Sequence, residues 1–83
     1  MLDLEVDLTP EGVRRCQSEV WLSQWLKLRE DGFCTIRTRM NTSFTPWIVQ
    51  FFLGLSMEAN VKYPQVVREQ IKNKLQELIK QYE

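Results

Sequence analysis

The chain has 83 residues, with 11 basic and 11 acidic side chains, no histidine and a formal net charge of zero. This length suits a single hydrophobic core, so residues 1–83 are expected to form one small globular domain. The balanced charge argues against a dedicated nucleic-acid-binding protein, because such proteins usually carry a basic surplus. Hydrophobic residues make up 43% of the chain, a share typical of folded domains and too high for extensive disorder.

The first segment, residues 2–8, alternates strictly between apolar and acidic residues, LDLEVDL. Such period-two alternation predicts a half-buried β-strand with one aliphatic face and one acidic face. The same segment lacks the basic start and apolar run of a signal peptide. The longest apolar stretch, residues 47–57, is too short to cross a bilayer. We therefore expect a cytoplasmic protein that does not associate with a membrane.

A helix is predicted to begin at Thr9-Pro10-Glu11, where a capping residue, a proline and an acidic residue follow one another. We expect it to continue to Glu30 and to end at Asp31-Gly32. In its second half, the large apolar residues occupy an arc wider than packing on one sheet requires. The candidate protein interface therefore comprises Trp21, Leu22, Trp25 and Leu26, and the alternative for these residues is burial in the core.

A second strand is predicted at residues 33–40, where Arg37 and Arg39 share one side and apolar residues the other. Its basic face complements the acidic face of residues 2–8, and opposite charges on adjacent strands support pairing. The two strands are therefore expected to be neighbours, in either a parallel or an antiparallel arrangement. Arg37 and Arg39 are also the candidate contact for an anion or a nucleic acid.

The rest of the chain predicts two further helices. Thr45-Pro46 repeats the helix-start signal, and residues 47–57 are apolar on nearly every side, which is typical of a buried helix. A short third strand at residues 60–63 is optional. From Pro64 the pattern is amphipathic, with apolar residues 71, 75, 78 and 82 at coiled-coil spacing. Only about two heptads fit, so packing on the domain's own sheet is expected instead.

These elements predict the α+β class, with a two- or three-stranded sheet packed by three helices in the order β-α-β-α-(β)-α. No catalytic constellation accompanies them. The absence of histidine excludes an imidazole base and Ser-His or Cys-His nucleophile pairs. No glycine-rich phosphate-binding motif occurs. Cys16 and Cys34 are too few for a closed zinc site and are expected to be buried free thiols. We therefore expect no enzymatic activity, no cofactor and no metal.

By elimination, the sequence favours a small protein-interaction or regulatory module. Its partner would be another protein or a second copy of the chain in a homodimer. The alternative is a nucleic-acid or nucleotide-binding accessory protein that uses Arg37 and Arg39. Exposure of Trp21 and Trp25 would favour the first function. A contiguous face that joins Arg14, Arg15, Arg37 and Arg39, free of acidic neighbours, would favour the second.

Overall fold

The computed structural model describes residues 1–27 and 29–83, with the side chain of Trp21 left out. Its sheet has three antiparallel strands in the order β2-β1-β3. The strands are β1 (Leu2–Leu8), β2 (Cys34–Met40) and β3 (Ala59–Tyr63). The helices are α1 (Pro10–Cys16), α2 (Val20–Ser23), α3 (Thr45–Gly54) and α4 (Gln65–Gln81). The predicted α+β class is confirmed, and the optional third strand is present.

The first two strands pair as their charges predict. Their register is continuous from Leu2 opposite Met40 to Leu8 opposite Cys34. On the solvent side, the Arg39 Nε atom lies 2.8 Å from Asp3 Oδ1, and the Arg37 Nε atom lies 2.8 Å from Glu5 Oε1. The antiparallel direction settles the alternative that the sequence left open.

The prediction of one helix from residue 10 to Glu30 is wrong. The helical segment divides into α1 and α2, with an extended residue, Glu19, between them. The Ser18 hydroxyl donates to the Arg15 carbonyl at 2.7 Å, and the Ser23 hydroxyl donates to the Val20 carbonyl at 2.8 Å. Serine side chains that bond back to carbonyls in this way compete with helical backbone bonding. The break changes the direction of the chain, so a single helical wheel does not describe residues 17–30.

The core lies between one face of the sheet and the helices. All alternate residues of β1 on that face are buried, whereas the acidic residues between them are partly or fully exposed. The helices therefore cover only one side of the sheet. The buried apolar residues are Leu2, Leu4, Val6, Leu8, Val13, Cys16, Leu22, Cys34, Ile36, Met40, Ile48, Val49, Phe52, Leu55, Val61 and Val67.

Helix α3 packs into this core on one side and is partly covered on another. Ile48, Val49 and Phe52 are buried. The Trp47 and Phe51 rings stack with centroids 4.8 Å apart and an interplanar angle of 7°. Phe51 also meets Phe52 edge-on at 5.2 Å. The helix is thus less enclosed than its all-round apolar sequence predicts.

The start of α1 is attached to the segment that precedes β3. The Thr9 amide donates to the Glu58 carbonyl at 3.0 Å, and the Thr9 hydroxyl donates to Glu58 Oε1 at 2.7 Å. The same hydroxyl oxygen accepts from the Gly12 amide at 3.1 Å and so caps the helix. A Cβ atom at position 12 would lie 2.3 Å from the Glu58 carbonyl oxygen. Position 12 therefore requires glycine, because any Cβ atom would clash with the backbone of Glu58.

We predict that Gly12→Ala destabilises the domain by about 2–3 kcal/mol, because the backbone at Glu58 must move to admit the methyl group. The matched control is Gly54→Ala, since no atom lies within 4 Å of the Cβ position there. That variant should be neutral or more stable by up to about 1 kcal/mol. Urea denaturation monitored by circular dichroism measures both. Equal midpoints for the two variants would contradict the close approach.

We also predict that Arg37→Glu lowers the free energy of unfolding by about 1 kcal/mol, because it replaces an exposed ion pair with two like charges. Arg37→Gln, which removes the attraction without adding repulsion, should cost less. Combining Arg37→Glu with Glu5→Arg should restore most of the loss. Urea melts at low salt provide the comparison, and failure of the charge swap to rescue stability would count against this cross-strand pair.

Candidate functional site

The four residues predicted as a protein interface do not form one exposed surface. Leu22 is 0% exposed and belongs to the core, so it is not available to a partner. Trp25 and Leu26 are partly buried and pack against the core. The side chain of Trp21 lies outside the described residues. Leu22 is buried because the break before α2 turns this residue inward, whereas a continuous helix would have placed it at the margin of the apolar arc.

The two arginines of the second candidate site lie on the open face of the sheet and are paired with carboxylates. Arg37 contacts Glu5, and Arg39 contacts Asp3. The hydrogen bond and charge of Asp3 raise the pKa of Arg39 above its usual value. The central strand thus contributes an acidic row directly beside the basic one. The condition set for nucleic-acid binding, a basic face free of acidic neighbours, is not met among the described residues.

Other basic residues do not extend that face. Arg14 lies 2.6 Å from Glu11, one turn earlier on α1. Lys62, on β3, lies 3.9 Å from Asp7 Oδ2. Each of these two basic residues is therefore paired with a carboxylate, and neither joins Arg37 and Arg39 in a basic patch free of acidic neighbours.

The two cysteines are buried free thiols. Burial raises the pKa of Cys16 to about 11, with smaller contributions from Cys34 and the negative charge of Glu19. A thiol with this pKa is protonated at neutral pH and is a poor nucleophile and metal ligand. No group of three or more metal-binding side chains occurs within residues 1–27 and 29–83.

An exposed apolar surface lies on α4, whose apolar arc was predicted from the sequence to pack on the domain's own sheet. Only Val67 is buried and Ile71 partly buried, both in the first half of the helix. Farther along, Leu75 is 45% exposed, Leu78 43%, Ile79 60% and Tyr82 87%. The expectation that the whole apolar arc packs on the sheet is therefore wrong.

The difference follows from the lengths of the two elements. The 17 residues of α4 extend about 25 Å at 1.5 Å per residue. The five residues of its neighbour β3 extend only about 17 Å. The strand β3 is therefore too short to support the helix along its whole length. The spacing of residues 71, 75, 78 and 82 was visible in the sequence, but the missing support was not.

Two shallow grooves lie along the exposed part of α4. One, of about 240 Å³, is lined by residues of α3, β3 and α4 that include Phe52, Ile71 and Leu75. The other, also of about 240 Å³, lies between α3 and α4 and includes Leu78. Both grooves contain Leu53 of α3, so they adjoin. We call the surface formed by Leu53, Leu75, Leu78, Ile79 and Tyr82 the α4 surface.

The α4 surface is apolar in character. It presents aliphatic and aromatic side chains and offers no nucleophile or acid–base pair for a reaction. Such contiguous apolar areas typically mark binding sites for another chain. Among the described residues, no helix combines the length and the apolar character needed to cross a bilayer.

Burial of the cysteines leads to a chemical prediction. In the folded protein at pH 8, Ellman's reagent should label the thiols only slowly, and in urea it should label two per chain. The pKa of the Cys16 thiol is about 11 in the folded protein and 9.0 in its ordinary state. Between these pH values the thiol is protonated in the folded chain and ionised in the unfolded chain. The free energy of unfolding should therefore fall as pH rises from about 9 to 11. Cys16→Ser should flatten this decline. Rapid labelling of the folded chain, or a count near zero in urea, would contradict the assignment.

Comparison with protein families finds one match. The family model described as the WCX domain matches residues 2–79, which include all three strands and most of α4. No match was found among curated proteins or among solved structures. The match identifies the type of domain and carries no statement of activity.

Proposed function

The chain belongs to the WCX domain family, and we propose that it acts as a non-catalytic protein-interaction module that self-associates through the α4 surface. The single observation that carries this proposal is the row of exposed apolar residues at positions 75, 78, 79 and 82. Burying them removes apolar area from water, which is the main driving force of protein association. The free thiols agree with action in the reducing cytoplasm.

A second copy of the chain is a suitable occupant because the seam on α4 is self-complementary. If two α4 helices cross antiparallel, Leu75 of each copy lies opposite Leu78 of the other. Ile71 then lies opposite Tyr82. All four seam positions meet an apolar residue, as knobs-into-holes packing requires.

The antiparallel direction follows from where the rest of the domain lies. Val67 and Ile71 attach the first half of α4 to the core, so the bulk of the domain surrounds that half. Two parallel helices would bring the rest of both domains side by side at the same end of the helix pair. An antiparallel pair places the bodies at opposite ends and leaves the exposed halves free to overlap.

Charges beside the seam are compatible with this arrangement. Lys72 comes beside Ile79 of the second copy, where its aliphatic stem can cover the apolar side chain while its ammonium group remains in water. Lys74 comes beside Gln81. No two like charges face each other, so the pairing has no electrostatic penalty.

The expected dimer is weak. An overlap from residue 71 to residue 82 spans about 18 Å of helix. A helix pair of this length buries less surface than the roughly 800 Å² per partner of a standard stable interface. A rapidly exchanging homodimer with a dissociation constant in the micromolar range or above is therefore expected.

We predict concentration-dependent self-association of the wild-type chain that is abolished by Leu78→Lys/Tyr82→Lys. Sedimentation equilibrium over roughly 1 µM to 1 mM covers the expected range of affinity. The double variant should remain monomeric throughout, because two buried ammonium groups cannot be accommodated at the seam. Its far-ultraviolet circular dichroism and urea midpoint should change little, since both positions are exposed.

The matched control is Asn73→Lys/Gln76→Lys, which adds the same charge on α4 away from the seam. This variant should self-associate like the wild type. A monomeric wild type at the highest concentration, or equal association by both double variants, would overturn the proposed function.

A further inference from the structure

The outer edge of β2 has a different chemistry from the α4 surface. We propose that this edge binds an extended segment of a partner protein whose residues alternate between apolar and acidic, so that the segment adds a fourth strand to the sheet. Strand addition of this kind combines main-chain hydrogen bonds with selection by alternate side chains. The inference goes beyond the proposed function, because α4 packs beside β3 at the opposite edge of the sheet.

The backbone of β2 is available for this pairing. Its seven residues follow an unbroken register with β1, and alternate residues of an antiparallel strand direct their amide and carbonyl groups away from the partner. Within the described residues, no hydrogen bond from another segment reaches the backbone of residues 34–40. The opposite edge differs, because the Arg68 guanidinium donates to the Val61 carbonyl of β3.

The side chains of β2 indicate which residue types a bound segment needs on each of its two faces. Arg37 and Arg39 bind their carboxylates through Nε. A guanidinium has five N–H donors, so the Nη groups can bind a second carboxylate on the outer side. On the other face, Ile36 and Met40 are buried beneath the sheet. An added strand with apolar residues on the buried face and acidic residues beside the arginines would extend both the apolar face and the charged face of the sheet.

The structure already contains a strand of this kind. β1, with the sequence LDLEVDL, pairs with the inner edge of β2 and places Asp3 and Glu5 against the two arginines. The inferred partner would make the equivalent contacts from the outer side. This equivalence defines its chemistry as alternating apolar and acidic residues.

A second copy of the folded chain cannot supply that strand. β1 is the central strand and is paired on both sides. Pairing β2 with another β2 would bring Arg37 and Arg39 close to the same residues of the other copy, and like charges on adjacent strands are destabilising. The remaining strand, β3, offers Lys62 in place of a carboxylate. The inferred occupant is therefore a partner segment other than the strands of a second copy of this domain.

The test uses a nine-residue peptide in which valine alternates with aspartate or glutamate. Its binding to the full chain, labelled with ¹⁵N, is followed by amide chemical shifts and hydrogen exchange. The expected result is new amide protection at alternate residues of β2 and none at β3. A peptide with lysine at every acidic position should bind at least tenfold more weakly. An acidic peptide N-methylated at every valine and another N-methylated at every acidic residue form the backbone controls.

If the peptide adds as a strand, one of the two methylated peptides should lose binding, namely the one whose methylated amides would face β2. The other should retain it. Equal binding by both methylated peptides would show a purely electrostatic contact and overturn the proposal. Equal binding of the lysine peptide, protection confined to β3, or no binding of the acidic peptide would overturn it as well.

The matched protein variants are Arg37→Gln/Arg39→Gln and Arg14→Gln/Arg15→Gln. The first should weaken binding of the acidic peptide about fivefold to tenfold, as expected for the loss of two exposed ion pairs. The second, which removes the same charge from α1, should leave binding unchanged, and equal losses would count against the site. Leu78→Lys/Tyr82→Lys should bind the peptide like the wild type, which separates this result from the test of self-association.

Discussion

The structure depends on one strand, β1, that is paired along both edges and buried on one face. Its four apolar residues are each at most 7% exposed, and they form the floor on which the helices pack. Its acidic residues face solvent and bind the basic residues of both neighbouring strands. Because one short segment supplies the core face and the charge pattern, the positions of β2 and β3 both follow from it.

A sheet covered on one side only leaves surfaces that a larger domain would bury. The helices cover the apolar face, while the charged face stays in water and is stabilised by cross-strand pairs. Within the described residues, β2 is an edge strand, and the apolar residues of α4 beyond Ile71 are exposed. Consequently, the two surfaces proposed for binding lie at opposite edges of the sheet, one apolar and helical, the other a strand edge with basic side chains.

Strand prediction succeeded because the signal is local. Successive side chains of an extended chain point to opposite faces, so the alternation in residues 2–8 and 33–40 identifies both strands and their buried sides. Helix prediction from residue 10 to 30 failed because helical propensity alone does not account for serine side chains that bond to the preceding carbonyls. As a result, Leu22 lies in the core and is not part of an exposed interface.

What the sequence by itself determined is the composition of the elements: two strands with their inner faces and opposite outer charges, an optional third strand, an apolar α3, an amphipathic α4 and no imidazole for catalysis. The tertiary structure decided the antiparallel order with β1 in the centre, the break after α1, the burial of Leu22 and the exposure of α4 beyond Ile71. The reason is that side-chain direction is a local property of the backbone. Burial depends on whether another element of sufficient length lies opposite, and the sequence pattern of a single element contains no information about that length.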